Sequence, residues 1–296
     1  MKILNLGSMN LDYFYKVKEI VKPGETISSS SLEIKMGGKG LNQSIALSRN
    51  FSNLYHAGLI GKDGIELKNL LDKNNIDTTF VEVIDTRTGN AIIQLEESGE
   101  NSIVLYPGAN YCFTKEYIDK VLENFTSSDY LVIQNEINNI DYIIDRAFEK
   151  KMKIFLNPSP ITDSLLKSDL SKVYMFILNE QEALKICEAS SRNDVVNKLI
   201  EKFPNSKFVM TKGKNGSLYF DKEKIIEQKA YSVNALDTTG AGDTFTGFFI
   251  TSFIKGEGVE KALDIASIAS ALCVTKKGAS NAIPTIKDVL EFKERL

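Results

Sequence analysis

The sequence predicts an α/β protein, a mostly parallel sheet with helices on both faces, and three observations lead there. Short apolar runs such as residues 3–6 stop abruptly at a glycine or a polar residue, as buried strands do. Stretches with helical spacing lie between them, for example Leu41, Ile45 and Leu47. Those stretches are long enough to be crossovers, and strands joined by crossovers pair parallel and are covered on both sides.

Taken in order, 3–6 reads as a strand, 39–50 as a helix, 54–60 as a strand and 65–71 as a helix. Further on, 130–134 is a strand, 142–150 a helix and 153–157 a strand, with more strands at 173–178 and 207–211. The last long helices are 242–254 and 259–274. Two regions, 13–35 and 88–106, have no helical period and show strand alternation instead, such as Ala91, Ile93 and Leu95 against Ile92, Gln94 and Glu96. They are expected to form four antiparallel strands standing off the main sheet as a small lid. No Pro/Gly/Ser-rich linker and no repeat divides the chain, so residues 1–296 are expected to form a single domain.

Composition narrows the function. The 296 residues are 43% hydrophobic and 25% charged, with 36 basic against 39 acidic side chains and a formal net charge of -3. Neither that charge nor the scattered basic residues give reason to expect a nucleic-acid partner. No stretch approaches the ~20 apolar residues that span a bilayer, and the start of the chain has too short an apolar run for a signal peptide. Cys112, Cys187 and Cys273 are far apart and odd in number, which fits a reducing cytoplasm and no disulfide framework. The single histidine, His56, sits in no recognisable metal or triad context and reads as a surface or strand-edge residue. Any chemistry must therefore come from carboxylates, backbone amides and a borrowed cation.

The segment best suited to chemistry is Asn234-Ala235-Leu236-Asp237-Thr238-Thr239-Gly240-Ala241-Gly242-Asp243-Thr244-Phe245. It passes from extended chain through a glycine turn into an apolar-periodic helix. Two glycines let successive N–H groups converge at a helix start, and that arrangement binds phosphate. Asp243 falls in the first turn, placed to accept a proton from an attacking hydroxyl. The same residues also fit a plain glycine turn with an acidic helix start. Gly37-Gly38-Lys39-Gly40-Leu41-Asn42-Gln43 is a second glycine turn opening a helix, where backbone can approach a polyhydroxylated ligand or simply make a tight connection. It lacks the spacing and the Ser/Thr of a Walker A loop. Asn10, Asp12, Glu136, Asn157, Asn179 and Glu182 follow strand ends, the place where an open α/β sheet binds its ligands.

These motifs resemble the ribokinase branch of the PfkB-type sugar kinase family over essentially the whole length. Gly7-Ser8-Met9-Asn10-Leu11-Asp12, Gly37 to Gln43, Pro107-Gly108-Ala109-Asn110, Asn179-Glu180-Gln181-Glu182, Thr211-Lys212-Gly213-Lys214-Asn215-Gly216 and Asp237 to Phe245 carry the likeness. The resemblance implies a ribokinase-like three-layer α/β/α sandwich with a small antiparallel lid sheet. It implies transfer of the γ-phosphoryl of ATP to the 5-hydroxyl of D-ribose, in the cytoplasm, by a homodimer joined through its lids. Asp243 would be the catalytic base, and Gly240, Ala241 and Gly242 would form the anion hole. Asn10, Asp12, Gly38, Lys39, Asn42, Glu136 and Asp243 would contact the sugar. Asn179, Thr211, Gly213, Gly216, Gly242 and Ser267 would hold the nucleotide. Glu182 would organise Mg²⁺ through water. Asp237, Thr239, Cys273, Lys276 and Gly278 would hold K⁺, mostly by backbone carbonyls. Ala282 stands where the family often has a serine at the K⁺ site, and Ser267 where an Asn or His commonly lines the adenine site.

The rivals are a kinase of another furanose or nucleoside (2-deoxyribose, fructose, adenosine or pseudouridine) and a non-catalytic sugar-binding protein. The intact Asp243 and glycine turn argue against the second. A dinucleotide-binding oxidoreductase is excluded because Gly7-Ser8-Met9-Asn10 lacks GxGxxG.

Overall fold

The computed structural model describes residues 1–189 and 194–295. Its strands are β1 (Ile3–Leu6), β2 (Asn10–Val17), β3 (Ser31–Gly37), β4 (Leu54–Ile60), β5 (Asp77–Val83), β6 (Gly89–Glu96), β7 (Asn101–Tyr106), β8 (Tyr130–Gln134), β9 (Lys153–Asn157), β10 (Met175–Asn179), β11 (Lys207–Thr211), β12 (Ser217–Phe220) and β13 (Ile225–Gln228). The helices are α1 (Lys39–Ser48), α2 (Ile65–Lys73), α3 (Lys115–Leu122), α4 (Ile140–Glu149), α5 (Asp163–Lys167), α6 (Glu180–Ile186), α7 (Val195–Lys202), α8 (Ala241–Ile254), α9 (Val259–Val274) and α10 (Ile286–Lys293).

The main sheet runs β13-β12-β11-β10-β9-β8-β1-β4-β5. It is parallel from β5 to β11, and β12 and β13 close one edge antiparallel. Side chains alternate across the strands, so each face builds its own core. Leu4 and Leu6 pack with Ile118, Ile144, Ile186 and Leu199 from α3, α4, α6 and α7. Ile3 packs on the other face with Ile45, Leu67, Phe248, Ile265 and Val289 from α1, α2, α8, α9 and α10. That is the three-layer sandwich, since a strand covered on both faces needs helices on both. Among the described residues no helix is long and apolar enough to cross a membrane.

The second sheet has the order β3-β2-β6-β7. Its outer pairs, β2 with β3 and β6 with β7, are antiparallel as expected. The central pair is parallel, with Asn10 opposite Gly89 and Val17 opposite Glu96. The cause is the path of the chain. Between β3 and β6 it returns to the main body through α1, β4, α2 and β5, then re-enters the lid at the end where β2 began. The lid buries Leu11, Val17, Ala91 and Ile93. Leu32, Ile34, Ile92 and Val104 are exposed.

His56 is not at the surface. It is fully buried in β4, and its Nδ1 lies 2.8 Å from Ser44 Oγ. Burial pushes its pKa down to about 3, so the ring is neutral. A polar side chain in a strand covered on both faces needs a partner from another element, and α1 supplies it.

Candidate active site

Strand β1 has β4 on one side and β8 on the other, and the strand order reverses at this point. A ligand crevice opens beyond the carboxyl ends at such a point. Asn10 and Asp12 lie there on β2. Glu136, Asn157, Asn179 and Thr211 lie at or just past the ends of β8, β9, β10 and β11.

Helix α1 enters this crevice against the backbone of residues 7–8. Gly38 at its N-cap has φ 95°, a left-handed conformation that favours glycine. Gly40 lets the first turn seat directly on Ser8: Leu41 N donates to Ser8 O at 2.9 Å, and Gly40 N donates to Ser8 Oγ at 3.2 Å. Glu136 closes the turn, accepting from Lys39 N at 2.9 Å and from Ser8 Oγ. Its carboxylate thus sits on the positive end of α1. Burial raises the Glu136 carboxyl above its ordinary range, although Lys39 and Ser8 oppose this. The Lys39 ammonium is desolvated, which alone would lower it. The carboxylates of Asp243, Glu136 and Glu182 outweigh that and hold it above the usual lysine range. Those three acids therefore converge on one cation.

Helix α8 begins after Gly240, which is left-handed with φ 76°. Thr244 N is bonded to Gly240 O, and Ala241 N is turned to Thr238 O at 3.3 Å. The N–H groups of Gly242 and Asp243 have no acceptor among the described residues. Space beside Gly242 is open, since a Cβ there would meet nothing within 4 Å. Asp243 is buried in that first turn, with Oδ2 accepting from Asn42 Nδ2 at 3.1 Å and Oδ1 from Gln43 Nε2 at 3.0 Å. The two glycine turns, far apart in sequence, thus meet at one carboxylate.

On the lid side, Asn10 is oriented by a neighbour that sequence reasoning quoted only within a motif. Asn110 accepts from Met9 N at 3.1 Å and donates to Asn10 Oδ1 at 2.7 Å. That bond turns the Asn10 oxygen toward Asn110. Burial, reinforced by the charge of Glu136 and partly offset by Lys35, pushes the Asp12 carboxyl up to about 6. Asn42 Oδ1 is buried without a partner among the described residues.

At the other end, Asn179 and Glu182 form a capping box on α6. Asn179 Oδ1 accepts from Gln181 N and Glu182 N, and Glu182 Oε2 accepts from Asn179 N, all at 2.9 Å. Glu182 still faces Lys39 electrostatically. Thr211 ends β11, and Gly213 and Gly216 turn the chain back into β12 with positive φ. Ser267 is buried in α9. Asp237 ties the last loop together: Oδ1 accepts from Thr239 N and Thr239 Oγ1, and Oδ2 accepts from Gly278 N. Cys273 Sγ points at Thr239 O, 3.9 Å away. Segments 237–239 and 273–278 are thus held side by side. Ala282 is fully buried and brings no hydroxyl.

Unpaired amides next to a buried carboxylate are what phosphoryl transfer to a hydroxyl requires, and the class of protein defined here is a small-molecule kinase. Residues 1–286 match the pfkB family carbohydrate kinase, and the chain belongs to that family. It is 33% identical to the ribokinase of Haemophilus influenzae over 302 aligned residues, covering 98% of this chain and 97% of that one. It is 29% identical to the deoxyribokinase of Salmonella typhi, covering 99% of this chain and 98% of the relative. Among solved structures, the Arabidopsis thaliana ribokinase complexed with ribose and ATP superposes with a TM-score of 0.86 at 26% identity, covering 98% and 97% of the two chains.

Proposed function

We propose that this protein transfers the γ-phosphoryl group of ATP to the 5-hydroxyl of D-ribose, giving D-ribose 5-phosphate and ADP. The observation that carries the reading is Asp243, buried beside unpaired amides and clasped by Asn42 and Gln43. In this reading Asp243 takes the hydroxyl proton as the sugar oxygen attacks phosphorus in line and the bond to ADP breaks. The turn Gly240, Ala241 and Gly242 is the anion hole, with the N–H groups of Gly242 and Asp243 as its donors. Asn10, Asp12, Gly38, Lys39, Asn42 and Glu136 hold the sugar. Asn179, Thr211, Gly213, Gly216 and Ser267 hold the nucleotide. Glu182 would meet Mg²⁺ through water, and that ion would neutralise phosphate charge. Asp237, Thr239, Cys273, Lys276 and Gly278 would hold K⁺, whose charge would strengthen the anion hole from behind. The chain works as one cytoplasmic unit, residues 1–296, with 13–35 and 88–106 as its lid. A second copy covers the exposed apolar residues of the lid in a homodimer. Sedimentation showing only monomer at micromolar concentration would refute that dimer.

Asn10 favours ribose over its closest rival. Its fixed N–H suits the oxygen of a 2-hydroxyl, and 2-deoxyribose would leave it unpaired at a cost of about 1–3 kcal/mol. An ADP-release assay with ribose, 2-deoxyribose, fructose, adenosine and pseudouridine, with and without K⁺, tests the whole reading. Ribose is expected to give the highest kcat/KM, about 10- to 100-fold above 2-deoxyribose, and K⁺ is expected to raise the rate. No ribose-dependent ADP release would overturn it.

Asp12 sets a pH dependence. It accepts hydrogen bonds best as a carboxylate, the form present above about 6. As pH falls through that value it gains a proton and loses acceptor capacity. The kcat/KM for sugar should therefore fall below about pH 6, while kcat at saturating sugar holds. Asp12→Asn should give a low kcat/KM without that step, and a profile identical to wild type would remove Asp12 from sugar binding.

A further inference from the structure

Gln43 is fully buried in α1, and nothing in its own helix requires a polar side chain there. It spends every polar atom. Nε2 donates to Asp243 Oδ1 at 3.0 Å and to Asn157 Oδ1 at 3.2 Å, and Oε1 accepts from Gln134 Nε2 at 2.7 Å. Both neighbours are themselves pinned to backbone or to further buried groups. Asn157 Nδ2 donates to Ile177 O at 2.8 Å, which turns its oxygen toward Gln43. Gln134 donates its second hydrogen to Asn5 Oδ1 at 2.9 Å, and Asn5 donates to Gly40 O at 2.8 Å and Ser44 Oγ at 2.7 Å. The chain ends at neutral His56, whose Nδ1 lies 2.8 Å from Ser44 Oγ.

The direction of every amide is thereby fixed. Turning Gln43 over would set its oxygen against the oxygens of Asp243 and Asn157 and its N–H against that of Gln134. The donor that meets Asp243 is therefore set by the core of the protein. Gly7 makes room for it, because a Cβ there would strike Gln134 Oε1.

We propose that Gln43, braced by Gln134 and Asn157, is a positioning residue for the base: it fixes the Asp243 carboxylate so that one oxygen stays in the core and the other faces the acceptor hydroxyl. The inference rests on the kinase reading above. It explains why a buried polar file runs from His56 to the crevice, where apolar residues would pack as well.

The test is steady-state kinetics with ribose and ATP on Gln43→Met, Gln134→Met and the double variant. Gln43→Met should lower kcat about 10- to 100-fold, the scale of a misplaced reacting group, with KM for ribose within about threefold. Gln134→Met should lower kcat about 3- to 10-fold. The double variant should be within about twofold of Gln43→Met, because the second change acts only through the first. A Gln43→Met protein with unchanged unfolding midpoint and kcat within about twofold of wild type would overturn the proposal, as would losses that multiply in the double variant. Should Gln43→Met not fold, a wild-type kcat in Gln134→Met overturns it instead. Wild-type protein that releases no ADP with ribose refutes the kinase reading, not the contact. The contact is read without turnover from the side-chain amide NMR signal of Gln43, which must move in Asp243→Asn; an unmoved signal overturns the positioning role.

Discussion

Asp243→Asn should lower kcat about 10³-fold while leaving ribose affinity within a few fold. Loss of a general base is worth 10²- to 10⁴-fold, and 10³ corresponds to about 4 kcal/mol of barrier. The variant should fold, because the clasp around residue 243 can adapt. An asparagine keeps one oxygen for the fixed donor of Gln43. Its new N–H₂ would then face Asn42 Nδ2, donor against donor, but Asn42 Oδ1 has no partner among the described residues. Asn42 can turn its amide and accept. Calorimetry with ribose and an ADP-release assay separate the two effects, and kcat within about tenfold of wild type would remove Asp243 from the role of base.

Much of this arrangement was legible in the sequence, and the illegible parts share a cause. Strands at 54–60, 130–134, 153–157 and 207–211 match their apolar runs, because a strand buried on both faces is built mostly from apolar residues. The turn at Gly240 was legible because a left-handed helix start needs glycine. Strand β5 and the β12–β13 hairpin were missed: β5 and β13 are the two sheet edges, where polar residues break the apolar run, and β12 is only 4 residues long. The parallel pairing of β2 with β6 depends on where the chain re-enters the lid, which no local pattern records. His56, Asn110 and Gln43 were misread or passed over for a related reason. Each is polar and buried, and each meets a partner that no local pattern records. One signal was available for Gln43. Asn42, Gln43 and Ser44 are consecutive polar residues between the apolar positions Leu41 and Ile45, so some polar side chain had to enter the core.

Gly40→Ala should cost roughly 3 kcal/mol or more of stability, lower the unfolding midpoint by about 5–10 °C, and reduce kcat/KM for ribose by about 100-fold. Its backbone is ordinary helix, so no left-handed strain enters. The cost is steric. A Cβ there would lie 2.6 Å from Ser8 O and closer still to Ser8 N and Gly7 C, and these backbone atoms follow directly on the buried strand β1. Neither side can yield cheaply, so α1 must lift. Lys39, Asn42 and Gln43 lift with it, which separates the sugar contacts and the clasp on Asp243 from the rest of the crevice. Gly242→Ala, also in the first turn of a site helix, should behave in the opposite way. Its Cβ meets nothing within 4 Å, and alanine suits a helix better than glycine by about 1 kcal/mol. The midpoint should hold or rise, while turnover falls because the methyl occupies the space in front of the unpaired amides. Thermal unfolding together with kinetics on the two variants distinguishes the two kinds of glycine. An unchanged midpoint in Gly40→Ala would show that close approach to Ser8 is not what seats α1.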